Sequence, residues 1–278
     1  MATPQLTKHS LPGRLGPVLV DVRASPHTEP RPAVLILHGF KGFKDWGMFP
    51  PFADRLARAG FTAVSFNVSG SGVDDAGEGV WPERFGRNTF SAELEDLTAV
   101  LGALDAGQLG VPRPSTVGLV GHSRGGGVSI LAAGRTPRIA ALVTWSAVST
   151  LDRWGSHLKE QWRREGVLTI ENSRTGQKLP MYTDVLDEVE ARAGTDLSIT
   201  DAARALEAPW LVIHGEADET VPAREATALI EASGGRAELL IIPHTGHTFG
   251  AAHPFTGRNP ALDQVFDASA DFLIRHLS

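Results

Sequence analysis

An α/β fold with a doubly wound, mostly parallel central sheet is predicted by three features of this sequence. Short runs of β-branched and aliphatic residues recur along it, and segments with helical periodicity alternate with them. Most of the runs are apolar throughout, as in strands covered by helices on both faces. The 278 residues suffice for one such domain with an insertion, and 42% hydrophobic residues supply its core.

Taken in chain order, residues 18–22 alternate apolar and polar and read as a solvated edge strand. Residues 33–37 (Ala-Val-Leu-Ile-Leu) form the first buried strand and end at His38-Gly39. Residues 51–59 place Phe52, Leu56 and Ala59 on one helical face, with Gly60 as the C-cap. A strand at 61–66 precedes a helix at 91–104, where Leu94, Leu97, Leu101 and Leu104 recur every three or four residues behind Ser91 as N-cap. The strand at 116–120 leads into a helix at 124–134, whose small residues suit close packing on a sheet. Strands at 139–144, 210–213 and 237–242 and helices at 223–232 and 261–277 complete the alternation.

Residues 149–208 break that rhythm. They hold no convincing core strand and are rich in Trp, Arg and Glu, with helical pieces near 157–165 and 183–193. A segment this long is large for a loop. The expectation is a single domain over 1–278 with a small, mainly helical cap insertion at 149–208.

Composition excludes several functions. A formal net charge of −6 without a basic run disfavours nucleic acid as a partner. The absence of cysteine removes disulfides, zinc–thiolate sites and a cysteine nucleophile, and fits a reducing compartment. Residues 1–17 lack the apolar segment of a signal peptide, and no stretch approaches the roughly 20 apolar residues of a membrane span. The expectation is a cytoplasmic protein with no membrane partner, in which the sequon Asn67-Val68-Ser69 is a chance match. Oligomeric state is not legible.

The strongest chemical signal is Gly121-His122-Ser123-Arg124-Gly125, directly after one predicted strand and directly before a helix. That is the context of a nucleophile elbow, in which small neighbours let strand and helix approach around a strained serine. Free N–H groups at the start of the helix would stabilise an oxyanion. A serine hydroxyl needs a base, and the base an orienting carboxylate. Asp218 follows the strand at 210–213, and His247 follows the strand at 237–242, between Gly246 and Gly250. Glu216 and Glu219 remain alternatives for the acid, and His244 for the base. His244, His247 and His253 lack the spacing of a helical zinc motif, so no metal is expected. His38-Gly39-Phe40-Lys41-Gly42 stands where a second N–H donor belongs, which nominates the backbone N–H groups of Phe40 and Arg124 as an oxyanion hole. His38 and His122 read as structural. The glycine-rich stretches lack phosphate-loop patterns.

As a set, His38-Gly39-Phe40, Gly121 to Gly126, His214-Gly215-x-x-Asp218-x-x-Val221-Pro222 and Gly246-His247-Thr248-Phe249 resemble the α/β-hydrolase superfamily. The similarity is to its dienelactone-hydrolase-like and cinnamoyl- or feruloyl-esterase-like branch, with features shared by the prolyl-oligopeptidase catalytic domain. Dienelactone hydrolases use a cysteine nucleophile, so this chain departs from them. The resemblance implies cofactor-free cleavage of small-molecule carboxylic esters through an acyl-enzyme, with aryl or cinnamoyl esters as the suggested substrates. An aminopeptidase or acylpeptide hydrolase using the same triad is the alternative, and a non-catalytic ligand-binding protein a further one. In the resembled branch the insertion shapes the pocket. Trp81, Trp154, Trp162 and Tyr182, with Phe40, are pocket candidates, although packing of the cap onto the core explains any single one slightly better. Arg153, Arg163 and Arg164 read as solvated surface.

Overall fold

The structure, a computed structural model, describes residues 3–172 and 176–278. In chain order it contains β1 (Gln5–Pro12), β2 (Pro17–Ala24), β3 (Ala33–Leu37), α1 (Phe49–Arg58) and β4 (Thr62–Asn67). A short 3-10 turn follows (Ser69–Ser71), then α2 (Pro82–Gly86), α3 (Phe90–Asp105), β5 (Val117–His122), α4 (Arg124–Ala133) and β6 (Ile139–Trp145). Next come α5 (Ser156–Glu165), β7 (Val167–Glu171), β8 (Lys178–Tyr182), α6 (Asp184–Arg192) and α7 (Ile199–Ala205). The chain ends with β9 (Trp210–Gly215), α8 (Arg224–Ala232), β10 (Glu238–Ile242) and α9 (Pro260–Leu277).

Eight strands form one sheet in the order β1-β2-β4-β3-β5-β6-β9-β10. Pairing is parallel from β4 to β10, whereas β1–β2 and β2–β4 are antiparallel. Every residue of β3, β4, β5 and β9 is buried, because helices cover both faces. Helices α1 and α9 pack on one face through Phe49, Phe52, Leu56, Val265 and Phe266. Helices α3, α4 and α8 pack on the other through Leu97, Leu101, Val128, Leu131 and Leu229. From β3 the chain steps to β4 on one side and later to β5 on the other. The strand order thus reverses beside β3, and the crevice outside the carboxyl ends of β3 and β5 is where ligands bind in such sheets.

Two expectations are corrected here. The segment at 18–22 is not an edge strand, since β1 pairs outside it from Gln5 to Pro12. That outer strand is mostly exposed, so it has no apolar pattern to betray it. The 149–208 segment is mainly helical, with α5, α6 and α7, and it also holds a separate two-stranded antiparallel sheet of β7 and β8. The cap of α3 is Thr89, whose hydroxyl accepts from the Ala92 N–H at 3.2 Å. Ser91 instead accepts a 2.6 Å hydrogen bond from Arg192. The Glu188 carboxylate on α6 accepts from the Phe90 and Ser91 N–H groups at 2.7 and 3.2 Å, docking the inserted segment on the positive end of α3.

Lys44 joins the β3–α1 loop to the sheet. Its side chain is fully buried, with Nζ 3.0 Å from Asp21, 2.5 Å from Asp45 and 3.0 Å from Asp75. Its backbone N–H donates to the Asn67 side chain at 2.6 Å. Burial opposes the ammonium charge, but the surrounding carboxylates outweigh it and hold the Lys44 pKa above its usual value. Lys44→Met would leave Asp21, 1% exposed, without its nearest cation. We expect a loss of about 3–5 kcal/mol in urea unfolding, the cost of stranding a buried charge. A loss under about 1 kcal/mol would show that the cluster contributes little.

Candidate active site

The parallel register aligns Leu37 with Gly121, His122 with Trp145, and Gly215 with Ile242. The loops after these strands therefore emerge along one edge of the sheet. Ser123 stands between β5 and α4 with φ +58° and ψ −122°, outside the relaxed regions for a residue with a side chain. Its N–H donates to the Trp145 carbonyl at 2.8 Å. A Cβ at Gly125 would lie 2.1 Å from the His38 carbonyl oxygen, and one at Gly39 would lie 2.8 Å from the Ser123 Cβ. Only glycine lets the β3 loop and the start of α4 approach the elbow this closely.

Ser123, His247 and Asp218 form a continuous chain of hydrogen bonds. Asp218, carried by the loop after β9, accepts from the His247 Nδ1–H at 2.8 Å through Oδ2. Its Oδ1 accepts the Thr220 and Val221 N–H groups, each at 2.9 Å. Burial pushes the Asp218 carboxyl up, but the hydrogen bonds from His247 and Val221 prevail and leave its pKa below the ordinary value. With Nδ1 bearing the proton, His247 Nε2 is free to accept from the Ser123 hydroxyl, 2.9 Å away. Of the alternatives, His244 is 94% exposed in its side chain and sits 3.7 Å from Glu216. Glu219 is exposed, and the carboxylate hydrogen-bonded to His247 is that of Asp218.

Two buried imidazoles support the site while remaining neutral. His122 donates through Nε2 to the His247 carbonyl at 3.0 Å, fixing the backbone at His247. His38 donates through Nδ1 to the Gly39 carbonyl at 2.8 Å, on the loop leading to Phe40. Burial is the main reason that both pKa values fall, to about 3 for His122 and about 4 for His38. These roles follow from partners that can only accept.

Arg124 follows Ser123 and opens α4, where its N–H has no intrahelical acceptor. Its guanidinium is 2.7 Å from the buried Glu93 and lies 3.9 Å over the Phe90 ring and 5.6 Å from that of Phe40. The Arg124 side chain thus lies near the ring of Phe40, the other residue whose backbone N–H the sequence nominates for an oxyanion hole.

A cleft of about 690 Å³ opens beside Ser123. The residues around it include Phe40, Lys41, Trp46, Phe49, Ile170 and His253. Trp81, Trp154, Trp162 and Tyr182 are not among them, which corrects the pocket read from sequence. Trp162 is wholly buried, donates to the Met181 carbonyl at 2.7 Å and packs edge-on against Trp154. Tyr182 donates to Glu83 at 2.6 Å, and Trp81 lies under Arg84. These rings anchor the inserted segment and its surroundings. Trp46, Phe49 and Ile170 escaped the sequence reading because no local pattern separates them from core residues. Among the described residues, no group of three or more His, Cys, Asp or Glu is placed to hold a metal ion, and no helix is long and apolar enough to cross a membrane.

Residues 34–257 match the model of the Alpha/beta hydrolase family. The 2,6-dihydropseudooxynicotine hydrolase of Paenarthrobacter nicotinovorans is 24% identical over 84% of this chain and 60% of its own length. This chain therefore spans less than two thirds of that relative. The monoacylglycerol lipase of Mycolicibacterium smegmatis is 26% identical over 83% of this chain and 86% of its own. Est1E of Butyrivibrio proteoclasticus, in a structure with ferulic acid bound, superposes with a TM-score of 0.69 at 19% identity, covering 94% of this chain and 95% of that one. At that identity the likeness concerns the fold.

The neutral imidazoles make stability depend on pH. Unfolded, His122 and His38 bind protons near pH 6.5, whereas folded they resist until about 3 and about 4. The unfolded state thus gains protons first as pH falls. Stability should be complete above about pH 6.5 and decline toward pH 4, with a slope approaching about 1.4 kcal/mol per pH unit for each imidazole. Urea titrations from pH 7 to pH 4 test this, and His122→Asn should flatten the slope. A stability that is flat over that range would contradict the burial argument.

Proposed function

The chain belongs to the alpha/beta hydrolase family, and we propose that within it this protein is a serine hydrolase cleaving carboxylic esters through an acyl-enzyme. The single observation that carries this reading is the unbroken relay from Ser123 through His247 to Asp218, with spacings of 2.9 and 2.8 Å.

In this reading the Ser123 oxygen attacks the ester carbonyl while His247 Nε2 takes its proton. Asp218 holds the ring in the tautomer that can accept, and stabilises the imidazolium that results. The backbone N–H groups of Phe40 and Arg124 receive the developing oxyanion, a preorganised interaction that strengthens as charge builds on the oxygen. His247 then protonates the departing alcohol. Water, deprotonated by the same imidazole, releases the acid and restores Ser123. No step calls for a cofactor. Residues 149–208 act as a cap, since Ile170 and Asn172 on the β7 side of this segment line the cleft.

Ester chemistry is favoured over aminopeptidase chemistry by the cleft wall. No Asp or Glu is among its described lining residues, so a substrate ammonium would find no carboxylate to hold it. The aromatic wall of Phe40, Trp46 and Phe49 supports an aryl or cinnamoyl group on the substrate.

Hydrolysis of a short p-nitrophenyl ester tests the assignment. Ser123→Ala should lower kcat by about a million-fold, and Asp218→Asn by about ten-thousand-fold. A fluorophosphonate should label wild type and not Ser123→Ala. Near wild-type turnover by Ser123→Ala would exclude Ser123 as the nucleophile.

A further inference from the structure

The cleft that holds Ser123 is electrically lopsided. Its lining includes one lysine, Lys41, and no carboxylate among the described residues. The other basic side chains near this loop are engaged: Lys44 is ringed by three carboxylates, and Arg124 is paired with Glu93. Lys41 forms no ion pair with any described residue, and its amine donates one hydrogen bond, at 3.2 Å, to the Glu171 carbonyl. An ammonium has three donors, so two remain for a ligand. The Glu171 carbonyl belongs to β7, whose Ile170 also faces the cleft. The amine is thereby held between the β3 loop and the hairpin.

The backbone at Lys41 is the second observation. Gly42 N–H donates to the Gly39 carbonyl at 3.0 Å, closing a tight turn, and Lys41 occupies its third position with φ +58°. Glycine adopts that conformation without strain, whereas a residue with a side chain does not. A long cationic side chain at such a position, next to Phe40 in the same cleft, is an outlier of the kind that accompanies function. Around it Phe40, Trp46, Phe49 and His253 form a largely aromatic wall, and Trp46 and His253 stack with centroids 6.3 Å apart. In such surroundings an ammonium attracts an anion more strongly than it would in open water.

We propose that the substrate is an ester bearing a carboxylate besides the scissile bond, and that Lys41 is the specificity-determining residue that binds this group. The proposal rests on Ser123 as the nucleophile and narrows that reading from carboxylic esters in general to anionic ones. The aromatic wall receives the flat or apolar portion between the two ends.

Two matched pairs test it, one for each side of the bond. Para-nitrophenyl hemiadipate against para-nitrophenyl hexanoate places the carboxylate on the acyl side. Para-acetoxybenzoate against phenyl acetate places it on the alcohol side. In at least one pair, wild type should favour the charged member in kcat/KM, and added salt should erode that preference. Lys41→Met should lower the charged-to-neutral ratio about tenfold or more, through KM rather than kcat. Lys41→Gly removes the amine while relaxing the turn, so the same loss in that variant cannot be a folding defect. Arg164→Met removes a cation whose side chain is 72% exposed and should leave the ratio unchanged. The proposal is overturned by equal use of both members in both pairs, or by a preference that survives in Lys41→Met and Lys41→Gly. If fluorophosphonate labels Ser123 under those outcomes, the nucleophile stands and Lys41 alone fails. If wild type hydrolyses no ester and takes no label, the underlying reading fails and this proposal with it.

Discussion

The strained turn at Ser123 is the constraint on which the rest of the site depends. A residue with a side chain at φ +58° and ψ −122° costs on the order of 1–3 kcal/mol and persists only when its surroundings leave no alternative. Here they leave none. The Ser123 N–H is bound to Trp145 at the end of β6, and its carbonyl accepts from Gly127 in α4 and from Val148 beyond β6. The β3 loop presses against the elbow at Gly39 and Gly125, where a single methyl would collide. Two neighbouring strands, one helix and one loop therefore meet on a single residue. The residues that follow these strands have little freedom in where they point.

The second organising principle is the separation of charge from the reacting groups. His38 and His122 are buried and neutral at ordinary pH, and burial lowers the His214 pKa as well. They act as oriented dipoles rather than charges, each donating to a carbonyl that shapes a loop. Formal charges near the site are placed in pairs: Arg124 with Glu93, Arg153 with Glu225, and Lys44 with its carboxylates. Such pairs add little net stability, since desolvation offsets their attraction, but they hold the groups they join in register. Asp218 is the carboxylate left facing His247. Among the described residues, Lys41 is the lysine facing the cleft. On the proposed reading, an ester, its oxyanion and a second anionic group would meet between these two charges.

Legibility in the sequence followed the reach of each physical cause. Strand β3 begins and ends where its apolar run does, because prolines precede it and His38-Gly39 ends it. Buried parallel strands advertise themselves this way, since both faces must be apolar. Strand β1 left no such mark: it lies at the sheet edge, mostly exposed, and is held by backbone pairing to β2. Locally both Thr89 and Ser91 are good caps for α3, and the sequence alone points to the serine. The choice between them was made by Glu188 and Arg192, about a hundred residues away in sequence. The hairpin β7–β8 is not legible for a related reason, since two five-residue strands amid polar segments carry little periodicity.

By itself the sequence determined the alternation of strands and helices, and hence a mostly parallel sheet. It also named a serine, an acid and a histidine in order, each after its own strand. Those features are local: hydrophobic period, turn chemistry and position at a strand end. The tertiary structure decided which side chains meet. Ser123 and His247 lie 124 residues apart in sequence, yet 2.9 Å apart in space, because parallel register brings the two strand ends to one edge of the sheet. It also placed Trp162 in the packing of the inserted segment and Trp46 in the cleft. A tryptophan looks the same in both settings until the direction of its side chain is set by the elements around it. The exposure of Lys41 to the cleft and the engagement of Lys44, three residues later, were settled in the same way.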